Sequence, residues 1–314
     1  MSVLNFPEYI AANLEFLSPP VCNRMVHNEG TLRIMIVGGP NQRKDYHLNL
    51  GEEIFYQIKG DMCLNVMECG EPKDVWIREG EFFVLPGKIA HSPQRFEGTV
   101  GLVIERKRAD DELDGLRYYV DDTNQDVLWQ RFFHVTNLGA QLVPLIKEFF
   151  ASDAFTSRTP VADVDVQTPE GSWEPDAQQL LSSPFLLAGR FPELIATPGR
   201  PPIRLGNREF VVDLVGDATQ TPALPLETEV WLYLLSGSAS GVGKLTSGSG
   251  GAAESNDEDS EFVLSRPGDT LLLRGGLTSL VCHSAEAAST EGSDVAPSGL
   301  QDPTRLLVIY STAF

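Results

Sequence analysis

From about residue 31 the chain reads as short apolar runs broken by Gly, Pro and Asn: TLRIMIVGG at 31–39, EEIFYQIKG at 52–60, MCLNVME at 62–68, DVWIREGEFFVLPG at 74–87 and GLVIERKR at 101–108. Runs of this length, rich in β-branched and aromatic residues and punctuated by turn formers, predict the antiparallel strands of a sandwich or small barrel rather than alternating βα units. Apolar residues recur at three- and four-residue spacing in NFPEYIAANLEFL near the start and in NLGAQLVPLIKEFFAS at 137–152, which predicts two helices flanking the strands.

The stretch SDAFTSRTPVADVDVQTPEGSWEPDA is polar, contains Pro and lacks periodicity, as an interdomain linker does. The expected organisation is a first domain over 1–160, a linker over 161–178 and a second domain over 179–314. Two later stretches, SGSASGVGKLTSGSGGAAESNDEDS and HSAEAASTEGSDVAPSGLQD, hold too few large apolar groups to repay their ordering entropy and are expected to be mobile loops, at 238–260 and 284–302. The two halves also repeat one another. EEIFYQIKG resembles EVWLYLLSG (229–237), DVWIREGEFFVLPG resembles FVLSRPGDTLLLRG (262–275), and GLVIERK resembles RLLVIYS (305–311). Aligning Gly60 with Gly237 sets Val230 opposite Glu53 and Leu224 opposite His47, and aligning Gly80 with Gly268 sets Ser279 opposite His91. The second copy keeps the strands and loses the polar groups, so chemistry is expected in residues 1–160.

Composition narrows the partners. The 314 residues carry a formal net charge of -20, with a pI near 4.6, which argues against nucleic acid and anionic membrane surfaces because both reward clustered Lys and Arg. The start, MSVLNFPEYIAANLEFLSPP, has no basic segment before an apolar run, and no stretch reaches the roughly 20 apolar residues of a membrane span. The four cysteines, Cys22, Cys63, Cys69 and Cys282, form no CxxC pair and are read as reduced structural thiols of a cytoplasmic protein.

The candidate chemistry lies in two spacings. His47, Leu48 and Asn49 are followed after three residues by Glu53 and after six more by Gly60; Gly80, Pro86, Lys88, His91 and Arg95 follow. These resemble the two cupin motifs, with Asn49 in place of a second histidine, Lys88 in place of a glycine and Arg95 in place of an asparagine. Two imidazoles and one carboxylate form the ligand set of the facial triad that holds non-haem Fe(II) and leaves positions open for substrate and dioxygen. His47, Asn49 and Glu53 share parity, as do His91 and Arg95, so each group points inward from one strand face. Glu52 is read as a solvated rim residue, and His27, His134 and His283 as structural histidines. Arg43, four residues before His47, and Arg95, four after His91, are candidate pocket cations in an acidic chain. Glu105 either points inward, where it needs a partner, or stands outward among Arg106, Lys107 and Arg108.

Taken together, NQRKDYHLNLGEEIFYQIKGDM, IREGEFFVLPGKIAHSPQR, GLVIERKR and LRYYV resemble the 3-hydroxyanthranilate 3,4-dioxygenase family across most of residues 1–160. The resemblance implies a mostly β chain of two cupin (double-stranded β-helix) domains, the second degenerate, in a monomer whose second domain replaces the dimer partner of bacterial relatives. It implies one Fe(II) per chain held by His47, Glu53 and His91. It further implies that 3-hydroxyanthranilate chelates the iron beside Glu53, with Arg95 on its carboxylate, Glu105 in substrate binding and proton transfer, and Arg43 beside bound dioxygen. The reaction so implied opens the ring between C3 and C4 to 2-amino-3-carboxymuconate semialdehyde, which closes to quinolinate. The triad alone also allows another iron cupin dioxygenase acting on a different aromatic or thiol anion, and a non-catalytic metal-binding sensor.

Overall fold

The computed structural model describes residues 3–19, 22–136, 138–160, 178–192, 200–217, 228–244, 259–274, 276–283 and 303–311. Most are in strands, as the apolar runs predict. The runs become Leu32–Gly38, Glu53–Lys59, Met62–Glu68, Glu71–Ile77, Glu81–Leu85 and Val100–Arg106. Two turn residues with positive φ, Cys69 and Gly70, join Met62–Glu68 to Glu71–Ile77, the backbone a tight hairpin needs. The helices are short. Phe6–Ala12 is capped by the Asn5 side chain, which accepts from the Glu8 amide, and a 3-10 turn follows at Leu14–Leu17. The second helix is Leu138–Phe150.

The chain forms two compact units, and they interleave instead of meeting at one cut. One comprises residues 14–28 and 33–186; the other comprises 1–13, 29–32 and 187–314. Pairing explains the departure from the expected bounds of 160 and 179: Leu4–Asn5 adds to the strand Asp269–Leu273, while Phe185–Leu186 adds to Glu81–Leu85. Of the linker expected over 161–178, all but Gln178 lies outside the described residues.

In the first unit two sheets enclose the core. One runs in the order Phe185–Leu186, Glu81–Leu85, Glu53–Lys59, Val100–Arg106, Leu32–Gly38, Asn23–His27. The other runs Val127–Phe133, Asp114–Tyr119, Tyr46–Leu48, His91–Arg95, Met62–Glu68, Glu71–Ile77, with Asn41–Gln42 also paired to His91–Arg95. Met35, Phe55, Phe83, Leu85 and Val103 from one sheet meet Met62, Leu64, Val66, Val75 and Ile77 from the other. At about 25 cal/mol per Å2, burial of these side chains is the main stabilising term of the unit.

The second unit repeats the pattern. Val230–Ser236 lies between Asp269–Leu273 and Arg305–Ser311, as Glu53–Lys59 lies between Glu81–Leu85 and Val100–Arg106. Register repeats too: Glu53 pairs with Leu85 and Val230 with Leu273. Gly60 and Gly237, and likewise Gly80 and Gly268, share positive φ, which is why glycine recurs there. Leu224, expected opposite His47, lies outside the described residues.

One expectation fails. The loop read at 238–260 begins as a strand, Ser238–Lys244, paired on both sides with Asp259–Leu264 and Leu277–His283. Its small residues signal crowding: a Cβ at Gly241 would collide with the Phe262 ring and the Ser279 carbonyl, and Ala239 is fully buried. Residues 245–258 and 284–302 lie outside the described residues.

Candidate metal centre

The pleat and the register bring the two motifs together. His47 in Tyr46–Leu48 and His91 at the start of His91–Arg95 are direct cross-strand partners, and Glu53 opens a strand of the facing sheet. All three are buried, and their ligand atoms lie within 4.8 Å of one another. Among the described residues this is the group of His, Cys, Asp and Glu side chains able to hold a metal ion. Glu53 Oε1 is 3.6 Å from His47 Nδ1 and 3.4 Å from His91 Nε2. The His91 Nδ1 is 2.9 Å from the Ile89 carbonyl, which fixes the tautomer by donation and leaves Nε2 for the centre. His47 Nε2 donates to Asp114 Oδ2 at 2.7 Å, leaving Nδ1 toward Glu53. A ligating histidine held by a carboxylate through its other nitrogen is the usual outer arrangement of metal sites.

Electrostatics point the same way. Burial opposes ionisation of Glu53, yet the two imidazoles hold its carboxyl well below the usual range. Burial pushes the His47 imidazole down, and the Asp114 and Glu53 carboxylates outweigh it, raising it to about 9. Metal ligands must be deprotonated, and Glu53 is held ionised, so a divalent cation would take the place of the protons between the carboxylate and the imidazoles. Asn49, at the position of the second cupin histidine, donates to Glu53 Oε1 at 2.7 Å, and its buried Oδ1 has no hydrogen-bond partner. The donor set therefore fits a divalent metal with three protein ligands.

The other predicted residues surround a cavity of about 90 Å3 whose walls include His47, Glu53, His91, Arg43, Arg95 and Glu105. Arg95 is 2% exposed. Its Nη1 donates to Gln57 Oε1 at 3.1 Å, no carboxylate pairs with it among the described residues, and burial lowers its pKa to about 10. Gly101 makes the room: a Cβ there would lie 2.5 Å from Arg95 Nη1. Glu105 points inward, and its partner is Arg108, whose Nη1 donates to Oε2 at 2.7 Å; burial raises the Glu105 carboxyl against that ion pair. Arg43 is ion-paired through Nε and Nη2 with Asp45. A larger cavity of about 770 Å3 also reaches Arg43 but its lining contains none of the triad, so the small one is the candidate site.

Several residues were missed by sequence reasoning. Glu52, expected at a solvated rim, is buried at 8% exposure; Gly51 and Glu53 beside it are buried as well. Asp114, Arg108 and Gln57 had no spacing signal. Gly101 had one, since an isolated glycine inside an apolar strand marks close approach of another group. Lys88 replaces the motif glycine yet adopts its backbone, φ 64°, and donates its amide to the Asn49 carbonyl at 2.8 Å. His134 and His283 are structural, engaging the Glu112 carbonyl and the Ser240 hydroxyl.

The sequence profile described as 3-hydroxyanthranilic acid dioxygenase matches residues 1–150. A Nematostella vectensis protein named 3-hydroxyanthranilate 3,4-dioxygenase is 54% identical over 172 residues, 54% of this chain and 62% of that one. The Xenopus tropicalis protein of the same name is 55% identical over 157 residues, 50% of this chain and 55% of that one. In these two the matched stretch spans little more than half of the relative. The Mus musculus protein of that name is 40% identical over 301 residues, 95% of each chain. With the triad, the paired sheets and a relative matched along nearly its whole length, the chain belongs to the 3-hydroxyanthranilic acid dioxygenase family.

Proposed function

We propose that the chain is an Fe(II)-dependent dioxygenase that opens the ring of 3-hydroxyanthranilate between C3 and C4 to 2-amino-3-carboxymuconate semialdehyde, the precursor of quinolinate. One observation carries the reading: a buried guanidinium, Arg95, without a carboxylate partner among the described residues, shares a small cavity with a two-histidine, one-carboxylate triad. A buried charge without an ion-pair partner is costly, the Glu53 carboxylate offsets burial of Arg95 only in part, and an anionic substrate would offset the rest.

Iron held by His47, Glu53 and His91 would supply the electronic route between a closed-shell aromatic ring and dioxygen. The chain's own groups do the rest. Arg95 pairs with the substrate carboxylate and sets the ring's orientation. Glu105, kept basic by burial, accepts a proton from the substrate hydroxyl or amine. Arg43, which lines the cavity and is ion-paired with Asp45 through Nε and Nη2, would stabilise negative charge developing on dioxygen. Met35, Val37, Phe55 and Val103 give the cavity an apolar wall for the ring. Four free thiols accord with a cytoplasmic location. No helix among the described residues is long and apolar enough to cross a membrane. The repeated architecture supports a monomer in which the second unit substitutes for a dimer partner, to be checked by light scattering.

The test is substrate choice. The Fe(II)-loaded chain is assayed on 3-hydroxyanthranilate, on 2-aminophenol, which lacks the carboxylate, and on cysteine. Selective turnover of 3-hydroxyanthranilate, with the preference over 2-aminophenol collapsing in Arg95→Ala, is expected. Turnover of cysteine and not of the ring substrate would contradict the proposal.

A further inference from the structure

Arg108 touches neither the triad nor the open centre of the cavity, yet its guanidinium sits between two groups that do. Nε and Nη2 donate to the two oxygens of Asp114 at 3.1 and 2.8 Å, while Nη1 donates to Glu105 Oε2 at 2.7 Å and to the Arg106 carbonyl at 3.2 Å. Asp114 Oδ2 is the same atom that accepts from His47 Nε2. A continuous chain of charge-assisted bonds therefore runs His47, Asp114, Arg108, Glu105, from three different strands and the segment after Val100–Arg106. Every side chain in it is nine-tenths buried or more.

We propose that Arg108 is a positioning residue that couples the His47 ligand to Glu105, so that one guanidinium sets both metal affinity and the placement of the proton acceptor. The proposal rests on the function given above. Planarity is the physical basis. The guanidinium fork grips both oxygens of Asp114, and its remaining edge then points Nη1 at a fixed place, where Glu105 Oε2 lies. Asp114, so gripped, cannot rotate away from His47, and Glu105 is held at its fixed place on the cavity wall. Two carboxylates sharing one cation also require that cation to stay: without it, Asp114 and Glu105 would be buried charges with no compensating guanidinium. A lysine offers three donors from a single point and lacks the planar fork, so it cannot grip both oxygens of Asp114 while holding Glu105 in the same plane.

The experiment measures Co(II) dissociation constants anaerobically without substrate, and kcat and KM for 3-hydroxyanthranilate at saturating Fe(II), in Arg108→Lys, Asp114→Asn, Glu105→Gln and the Asp114→Asn/Glu105→Gln pair. Thermal melting checks that each is folded. Arg108→Lys is expected to weaken Co(II) by about tenfold or more and to lower kcat by about tenfold or more with the metal saturating. Asp114→Asn is expected to lower kcat as well, and the double variant to be no slower than Glu105→Gln alone, because both act through one guanidinium. Wild-type Co(II) affinity in Arg108→Lys, or additive effects of the two carboxylate substitutions on kcat, would overturn the coupling. Should Arg108→Lys fail to fold, the double-substitution cycle decides, since it leaves Arg108 in place. A wrong substrate would abolish turnover in the unsubstituted chain while the Co(II) measurements still decide on Arg108.

Discussion

Replacing Gly101 with alanine isolates the anion-binding role proposed for Arg95 without touching its charge. Gly101 lies in the strand Val100–Arg106, and a Cβ built on it would stand 2.5 Å from Arg95 Nη1 and closer still to Gln57 Oε1. Ordinary contact between such atoms begins at 3.4 Å, so the guanidinium must retreat by roughly 1 Å. Gln57 cannot take up the shift freely, because its Nε2 donates to the Gly60 carbonyl at 2.8 Å. A misplacement of roughly 1 Å at a substrate-orienting group costs on the order of a hundredfold in rate, about 2.7 kcal/mol of transition-state stabilisation. The crowding itself costs about 1–3 kcal/mol of fold stability. The three atoms nearest that Cβ belong to Gln57 and Arg95 and none to the triad, so metal affinity is expected to stay at the wild-type value. The assay is kcat/KM for 3-hydroxyanthranilate beside a Co(II) titration of the same sample. A Gly101→Ala protein with kcat/KM within about threefold of wild type would refute the reasoning, because Arg95 would then not be held where the substrate needs it.

Other expectations follow from single residues. Lys88→Gly relieves a left-handed backbone that costs a non-glycine residue roughly 1–2 kcal/mol, less the entropy glycine adds to the unfolded chain; a gain of up to about 1 kcal/mol in urea unfolding is expected, and a loss would show that the Lys88 side chain matters more than its backbone. The Asp269 carboxyl is held below its ordinary value: burial opposes, while Asn5 Nδ2 and the Ser265 and Arg266 amides outweigh it. A depressed folded value means the contribution is complete above the unfolded value of about 4 and is lost as pH falls through the folded one. Asp269→Asn should therefore lower stability at pH 7 by about 1–3 kcal/mol and flatten its fall on acidification; an unchanged acid limb in urea melts would contradict this. Burial raises the Cys63 thiol to about 11 and the Cys282 thiol to about 12, whereas Cys69 is exposed. Iodoacetamide at pH 8 should label Cys69 first in the native chain and all four cysteines after unfolding, and early labelling of Cys63 by mass spectrometry would show the fold to be looser there.

What the sequence disclosed is what periodicity and spacing encode. The apolar runs became strands at nearly their expected bounds, and the His47, Glu53 and His91 spacing delivered three side chains to one centre because a two-residue pleat fixes which face each takes. The face of Glu105 could not be read, since a strand buried on both sides carries apolar residues at every position and parity has nothing to contrast. Arg108 and Asp114 carried no signal for a related reason: their burial depends on the register that sets Asp114 against His47, 67 residues away, and not on local pattern. Ser238–Lys244 was hidden by its composition. Small residues lower strand propensity, yet here close neighbours demand them. The Lys88 position shows the reverse case, a left-handed backbone held by a residue other than glycine.

The central claim, that the buried triad carries iron that joins dioxygen to an aromatic ring, is tested most directly by oxygen uptake. The chain is reconstituted anaerobically with Fe(II), mixed with air-saturated 3-hydroxyanthranilate, and followed at an oxygen electrode together with the transient absorbance of the semialdehyde. The account predicts one oxygen consumed per substrate, and loss of both signals together with metal binding in His91→Ala. Iron bound at the triad with no oxygen uptake, or uptake undiminished in His91→Ala, would contradict it.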